Sequence, residues 1–557
     1  MTKQLNDEQR DAAVTRRRFL TAAGYGGLTV GAGSLIAACG GKIAASTGQA
    51  ATTVDRLSAG GGTPVRGGTF TVGLVGAGSS EQLYPGAVTG IPDLFRVQQL
   101  YDNLFNLSPN LELAPALALS VEPNADATVW TFHLRDGVHW HDGRAFGADD
   151  VLYTFRAFGS ATNFANSNVA PFVNFTGLRK RGPLTIEVPL TRPCAQVPSL
   201  FTFLSAATWI IPADSTPREL AHRPVGTGPF KFVSFTPGQR SVFDANRDYW
   251  ESGKPYVDQL VVDSSFGGST ALTNALLSGA INVLTPLPYS QTSQYLNSSA
   301  IKVLSAPGYS GSLAYMRVDA GPFADPRVRQ ALKLAVDRKL LVSDVLHGFG
   351  TVGSDGPPLV ASGDPNAIDL PPSYDPERAR ALLRAAGREG MAATIQTAAI
   401  NDTFVPAATL IAQQASKVGI KLQVKVLSPS TYYTAASGYV NRYLGQDVGG
   451  SAPSLTGGYI PSSWSGAAFN ETHWGLQKPG GAAADRLLFE AIGATDRGRA
   501  ADLWHRVQRL QVDQGGWLNW GYGDDIDAVA TNVRGLRESR SFNLNNYRML
   551  DGWIAKK

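Results

Sequence analysis

The sequence predicts an α/β protein of more than one lobe, and three observations carry that prediction. Its 557 residues exceed what one ordinary hydrophobic core organises. From Ala393 to Val426 a strand-like run, a helical run and an alternating run follow one another, the spacing of a βαβ unit and of a mainly parallel sheet. Between Val129 and Leu190, short alternating runs bounded by turn signals indicate an antiparallel region instead. Hydrophobic residues at 43% and charged residues at 17% fit a globular chain, neither disordered nor membrane-spanning.

The N-terminus reads as an export segment. Arg16 and Arg17 precede an apolar stretch diluted by glycines that ends Leu35-Ile36-Ala37-Ala38-Cys39. A basic region, a weakly hydrophobic region and small residues before a processing point have the order of a signal peptide. The Thr15-Arg16-Arg17-Arg18-Phe19-Leu20 setting resembles a twin-arginine signal, and Ile36-Ala37-Ala38-Cys39 resembles a lipobox with Cys39 as the lipidated residue. Residues 1–38 are thus expected to be removed, and 39–65 to form a flexible, Gly- and Ser-rich tether. The expected location is outside the cytoplasmic membrane, held there by lipid. Net charge is +4, and the signal arginines account for much of it, so the remaining body is near neutral. That speaks against a nucleic-acid partner, which needs a concentrated basic face.

Order is expected to begin at the alternation Gly68-Thr69-Phe70-Thr71-Val72. Val129 to Leu134 alternates, Arg135-Asp136-Gly137 supplies a turn and Val138-His139-Trp140 alternates again, predicting a hairpin. A helix is expected near Ala148 to Phe155. Asp325 as N-cap, Pro326 at the first helical position and Gly348 as terminator predict one helical segment, with Val328, Leu332, Ala335 and Val336 facing a core. Asp375-Pro376 to Gly387 repeats that start and stop. Cys194 has no expected disulfide partner and reads as a buried, inert thiol.

Several motifs together carry a resemblance. Leu113 to Ala118, then Trp130-Thr131-Phe132-His133-Leu134-Arg135-Asp136-Gly137-Val138-His139-Trp140-His141-Asp142-Gly143, is similar to the first-lobe signature of extracellular solute-binding protein family 5. These are the dipeptide, oligopeptide and nickel receptors of ABC importers. Pro224-Val225-Gly226-Thr227-Gly228-Pro229-Phe230 and Pro322 to Arg338 resemble the second and third landmarks, with weaker matches at Asn246 to Trp250 and Asp375 to Ala379. The resemblance implies a two-lobed periplasmic-binding-protein fold of the class II type, with a subdomain inserted in the first lobe. Mapped by motif order, the first lobe is 66–310 plus 521–557, the insertion about 105–222, and the second lobe 311–520. The crossings then fall near Ser310-Gly311-Ser312 and Asn519-Trp520-Gly521.

The resemblance also implies no cofactor, a monomer, a small-molecule or peptide ligand, and an ABC permease and ATPase as partners. Peptide-binding relatives hold the ligand's ammonium with an acidic residue after a Trp, and that Trp–Asp pair is missing here, leaving Asp447 as a nearby candidate. Trp464, Asn470 and Trp474 follow in a small, aromatic, loop-like run. Trp520 stands at the second crossing, Tyr84 where relatives carry an aspartate, and Tyr101 near the cleft entrance. His133, His139 and His141 cluster, but across a hairpin in the insertion, and no metal site is expected. Catalytic patterns fail: Gly308 to Ser312 lacks the final glycine of a nucleophile elbow, and Ser299-Ala300-Ile301-Lys302 lacks companion motifs. No enzyme is expected. Four readings stay open beside peptide import: a receptor for an oligosaccharide or other polar metabolite, a receptor for a nickel chelate, a surface adhesin or assembly lipoprotein, and an exported hydrolase.

Overall fold

The computed structural model describes residues 57–556 apart from 89, 160–168, 203–208, 357–363, 435–436, 450–451, 453 and 541. Arg16, Arg17 and Cys39 lie outside the described residues. Eleven strands join into one sheet that passes through both lobes. It starts with β1 (Thr69–Val75), whose period-2 pattern buries Phe70, Val72 and Leu74 on one face. After α1 (Ile91–Leu100) the chain leaves for the insertion, built on β2 (Ala118–Pro123), β3 (Val129–Leu134), β4 (Arg179–Gly182) and β5 (Thr185–Pro189). These form a separate four-stranded antiparallel sheet, order β2-β3-β5-β4, with α2 (Ala148–Gly159) packed beside β4 and β5. The main sheet resumes with β6 (Phe230–Thr236), β7 (Arg240–Ala245), β8 (Gln259–Phe266) and β9 (Val283–Leu284).

β10 (Ile301–Met316) then crosses into the second lobe. There lie α3 (Pro326–Ala335), α4 (Arg338–Asp344), β11 (Gly350–Val352), α5 (Pro376–Ala385), β12 (Ala392–Ala398), α6 (Phe404–Ser416), β13 (Lys421–Leu427) and β14 (Leu444–Gly449). Three helices follow, α7 (Leu455–Tyr459), α8 (Gly481–Gly493) and α9 (Arg497–Gln514), before β15 (Trp517–Ala530) crosses back. The strand order is β13-β12-β14-β10-β15-β9-β1-β8-β7-β6, with β11 paired to β15. β12, α6 and β13 are the expected βαβ unit, with parallel register from Ala392↔Lys421 to Ala398↔Leu427.

Four expectations are corrected. The tether does not extend to residue 65: Ala59 is buried, and Ser58 to Gly60 pair with Gly535 to Arg537. β3 makes no hairpin with 138–140; it pairs with β2 and β5, while 138–146 closes on itself around Asp142-Gly143. The single helix expected from Asp325 to Gly348 is two. Val336 is extended, and the Asp337 side chain accepts from the Lys339 and Leu340 amides, restarting the chain as α4. Finally, the stretch mapped to the second lobe is shared between two cores. Val328, Leu332, Ile395, Ile411, Leu444, Leu518 and Trp520 form a second-lobe core. Leu455, Tyr459, Leu488, Ile492, Leu503 and Trp504 instead join the core of the first lobe and its insertion.

Candidate functional site

The two lobes are tied by β10 and β15, paired antiparallel from Ile301↔Ala530 to Tyr315↔Trp517. The ladder breaks twice where it passes between lobes. Between Ala306 and Ser310, three residues of β10 face one of β15, and Gly308 lies so close that a Cβ there would sit 1.9 Å from the Gly523 carbonyl oxygen. Between Ser312 and Leu313 the register jumps from Gly521 to Asn519, leaving Trp520 as the extra residue of a bulge. Bulges bend strands and loosen the ladder locally, which suits a crossing that has to flex. Asn519 holds the second break together: with its side-chain amide turned to satisfy its neighbours, Nδ2 donates to the Gly521 and Ser312 carbonyls at 3.0 and 3.1 Å and Oδ1 accepts from Tyr522 Oη at 3.2 Å.

Elsewhere the insertion meets residues 364 and 454–456, from the stretch mapped to the second lobe, through a polar latch. Gln196 Nε2 donates to Asp364 Oδ2 at 3.1 Å, and Gln196 Oε1 accepts from Thr456 Oγ1 at 2.7 Å. The same Asp364 oxygen accepts from the Leu455 amide at 2.9 Å, and the Ser199 and Ser454 hydroxyls pair at 2.7 Å. Around the latch the contact is apolar and aromatic: the Arg192 guanidinium lies 4.0 Å over the Phe489 ring, and Phe172 meets that ring edge-on. The insertion and the stretch mapped to the second lobe are therefore in contact away from the crossing strands as well.

The first-lobe candidates sit on a tightly determined framework. The loop bearing Tyr84 is pinned by Glu81, which accepts from the Ala77 and Gly238 amides and pairs with fully buried Arg96 at 2.9 Å. Tyr84 is half-buried against Phe158, and burial raises its hydroxyl pKa. Tyr101 is buried to 1% exposure, close enough to feel Tyr84's charge, and its hydroxyl has no partner among the described residues.

Next to it stands a hub the sequence did not reveal. Asp102 accepts from Tyr249 Oη at 2.8 Å, Thr227 Oγ1 at 2.9 Å and Trp250 Nε1 at 3.1 Å. Burial raises its pKa against the pull of those three donors. Gly226 and Gly228 let the backbone lie on α1's end: a Cβ at Gly226 would be 1.7 Å from the Leu100 carbonyl oxygen. Both ring nitrogens of His141 serve that same loop, Nδ1 accepting from the Gly226 amide at 3.2 Å and Nε2 facing the Gly228 carbonyl at 3.0 Å. Burial lowers the His141 pKa to about 4, so the ring is neutral and structural. The family-like motifs of the first lobe thus converge on one buried joint.

In the second lobe, Asp447 does not present a bare carboxylate. Oδ1 accepts from its neighbour Val448 N at 2.7 Å and from Tyr433 Oη at 3.1 Å, and Tyr439 Oη bonds Oδ2. Tyr439 Oη also reaches Glu471 Oε1 at 2.6 Å. One hydroxyl proton cannot serve two carboxylates, so one acid of the pair holds a proton; burial pushes both pKa values up, that of Glu471 further because of Asp447's charge. Asn470, beside Glu471, staples the aromatic loop: Nδ2 donates to the Trp464 and Trp474 carbonyls, both at 2.8 Å, and Oδ1 accepts from the Trp474 amide.

The structure thereby brings Asp447, Asn470, Trp464 and Trp474 into one connected region, and Tyr84 beside Tyr101 in another. Trp464 packs edge-on to Phe489, while Trp474 is 2% exposed in a small cluster with Val318 and Ala484. Trp520 stands apart, buried in the second-lobe core. Cys194 is fully buried, and burial raises its thiol pKa to about 12. Among the described residues no group of three or more His, Cys, Asp or Glu side chains is placed to hold a metal, and no helix is long and apolar enough to cross a membrane.

Two α/β lobes joined by a pair of bulged strands, with a separate antiparallel sheet inserted in the first, define a two-lobed periplasmic binding protein. The comparisons agree. The family model of bacterial extracellular solute-binding proteins, family 5 (middle), matches residues 112–477. The chain belongs to that family. It is 26% identical over 433 residues to the glutathione-binding protein GsiB of Pectobacterium atrosepticum, covering 74% of this chain and 80% of that protein. It is 28% identical over 487 residues to heme-binding protein A of Haemophilus influenzae, covering 79% and 85% respectively. Among solved structures, the periplasmic binding protein DppA of Helicobacter pylori, in complex with the peptide STSA, superposes with a TM-score of 0.74 at 22% identity, covering 88% of this chain and 99% of that one.

Proposed function

We propose that this protein is the extracytoplasmic, lipid-anchored substrate-binding component of an ABC importer. It captures a peptide or peptide-like solute between its lobes and presents it to the permease, with no bond made or broken. The observation that carries this reading is the paired register break in β10 and β15 where the chain passes between lobes. A ligand between such lobes favours the shut form only by binding it better than the open one. Tyr84, Tyr101, Asp447, Trp464, Asn470, Trp474 and Trp520 remain our proposed ligand residues. Their roles differ: Tyr84 is the best placed to touch ligand, while Asp447, Asn470 and Trp474 act from beneath the surface and Trp520 through the strand it deforms. The name and bound peptide of the relatives above support the peptide class, as said of those proteins.

A second reading, a receptor for a polar metabolite without a free amine, draws on Asp447, whose carboxylate is already engaged by Tyr433, Tyr439 and Val448. The two are separated by a thermal-shift screen of short peptides, glutathione, sugars and metal chelates. A ligand at 100 times its dissociation constant stabilises by about 2.7 kcal/mol. Silence from every class overturns import; response to sugars alone selects the second reading. For export, Arg16→Lys with Arg17→Lys is expected to strand the precursor inside the cell. Normal secretion of that double variant would refute the twin-arginine assignment.

A further inference from the structure

A hollow of about 300 Å³ opens on the first lobe, lined by Lys254, Tyr256, Arg537, Asn545, Arg548 and Trp553 among others. None of the proposed ligand residues lines it. Its charges do not cancel. Lys254 pairs with Glu251 at 3.1 Å and with Asp551 at 2.5 Å, and Arg548 pairs with Glu251 at 2.6 Å and Asp551 at 3.5 Å. Two cations and two anions are thus accounted for, and the Arg537 guanidinium has no ion-pair partner among the described residues. Opposite stand Tyr256 and Trp553, their rings edge-on with centroids 5.8 Å apart.

The wall that carries Asn545 is strained. Leu544, Asn545, Asn546 and Tyr547 all have positive φ, at 50°, 51°, 63° and 58°. Four consecutive non-glycine residues in the left-handed region carry backbone strain, and such strain concentrates at binding sites. What the turn achieves is to line the hollow with Asn545, whose buried Oδ1 has no hydrogen-bond partner among the described residues. A rigid fork of donors, a loose amide and two aromatic faces around a volume at the small-molecule end of the range match an oxyanion on a small polar body.

We infer that this hollow is a second binding site, for a phosphate-bearing group held by Arg537 and oriented by Asn545 against Tyr256 and Trp553. Such a group is carried both by soluble phosphate esters and by lipid headgroups. The chain enters the folded body beside it, since Ser58 pairs with Arg537 and the Leu57 carbonyl accepts from the Glu538 amide at 2.9 Å. On the lipid-anchor reading, which only the vesicle arm below relies on, the headgroup source is the nearer one.

The test uses the full chain with Cys39→Ser, so that no attached lipid contributes. Glycerol 3-phosphate is titrated by calorimetry with tryptophan emission in parallel, glycerol serves as the uncharged control, and sedimentation is measured with vesicles of phosphatidylcholine with or without phosphatidylglycerol. Saturable binding of glycerol 3-phosphate and not of glycerol is expected, weakened at least 10-fold by Arg537→Ala and unaffected by Lys339→Ala on the second lobe. Asn545→Gly is expected to weaken it at least 3-fold while keeping or raising the thermal midpoint, because glycine accepts that backbone conformation. Binding only to vesicles with the anionic lipid supports a headgroup ligand; binding only of the soluble ester supports a free one. No binding of either, equal binding of glycerol, or equal loss in Arg537→Ala and Lys339→Ala overturns the proposal.

Discussion

At the scale of single residues, this chain stores proton-dependent stability of opposite signs at different buried groups. His141 is buried and neutral, with its pKa lowered from 6.5 to about 4. The folded state therefore binds fewer protons than the unfolded one between those values, and stability is full above pH 6.5 and falls as pH drops towards 4. A gap of that size corresponds to about 3 kcal/mol. Denaturant titrations at intervals across this window are expected to show the loss, and a flat profile would remove His141 from the account. Asp447 and Glu471 act the other way. Their folded pKa values are raised, so their contribution is intact below the ordinary carboxylate range and fades as pH rises through the folded values. Glu471→Gln keeps a polar group for Tyr439 and cannot ionise. It is expected to gain on the parent by about 1–3 kcal/mol at pH 8 and not at pH 4, by the same titrations. An equal effect at both pH values would mean that no proton is shared.

At the scale of elements, close backbone approach matters more than helix or strand propensity. The landmark Gly226-Thr227-Gly228 is needed because α1's last carbonyls press against it, whereas Gly137 is needed for its positive φ of 71° with open space around it. The two glycines predict different penalties for the same change. Gly226→Ala is expected to cost about 3 kcal/mol or more, since backbone has to move, and Gly137→Ala about 1 kcal/mol. Chemical denaturation of both variants ranks them, and the reverse order would sink the packing explanation. Much of this level was legible in the sequence: Asp325 and Asp375 do cap their helices, and the alternation over 421–427 marks a strand. What misled was local pattern without a partner. Val138 to Trp140 alternates as a strand would, but β3's two edges were already taken by β2 and β5. Asp337 competes as a second cap in a run whose hydrophobic period continues past it, so the break in the helix is a matter of hydrogen bonding.

At the scale of the whole molecule, a two-lobed fold was readable from the family motifs, but the contacts between its parts were not. Gln196 and Asp364 lie 168 residues apart, and nothing local to either marks a contact. The same holds for Asp102 and its partners Thr227 and Trp250, which are 125 and 148 residues away. Tyr439, Glu471 and Asp447 likewise gain meaning only once β14 and the loops beside it are folded. Gln196→Ala removes two of the four latch hydrogen bonds, each worth about 0.5–1.5 kcal/mol net. It is expected to shift the ligand-free protein towards a more open form, seen as a larger radius of gyration by X-ray scattering, without lowering the stability of either lobe. An unchanged scattering curve would remove the latch from the closing equilibrium.

The long helix α9 belongs to both halves at once. Leu503, Trp504 and Val507 are buried with the first-lobe core, while the carbonyls of Val512, Asp513 and Gln514 at its end are held by Arg329, Gln330 and Lys333 of α3. If parting of the halves follows the latch, the tear runs along the oily flank of this helix and wets it. The empty form would then be the stickier one, clumping as concentration rises, and filling the groove would double as a solubiliser.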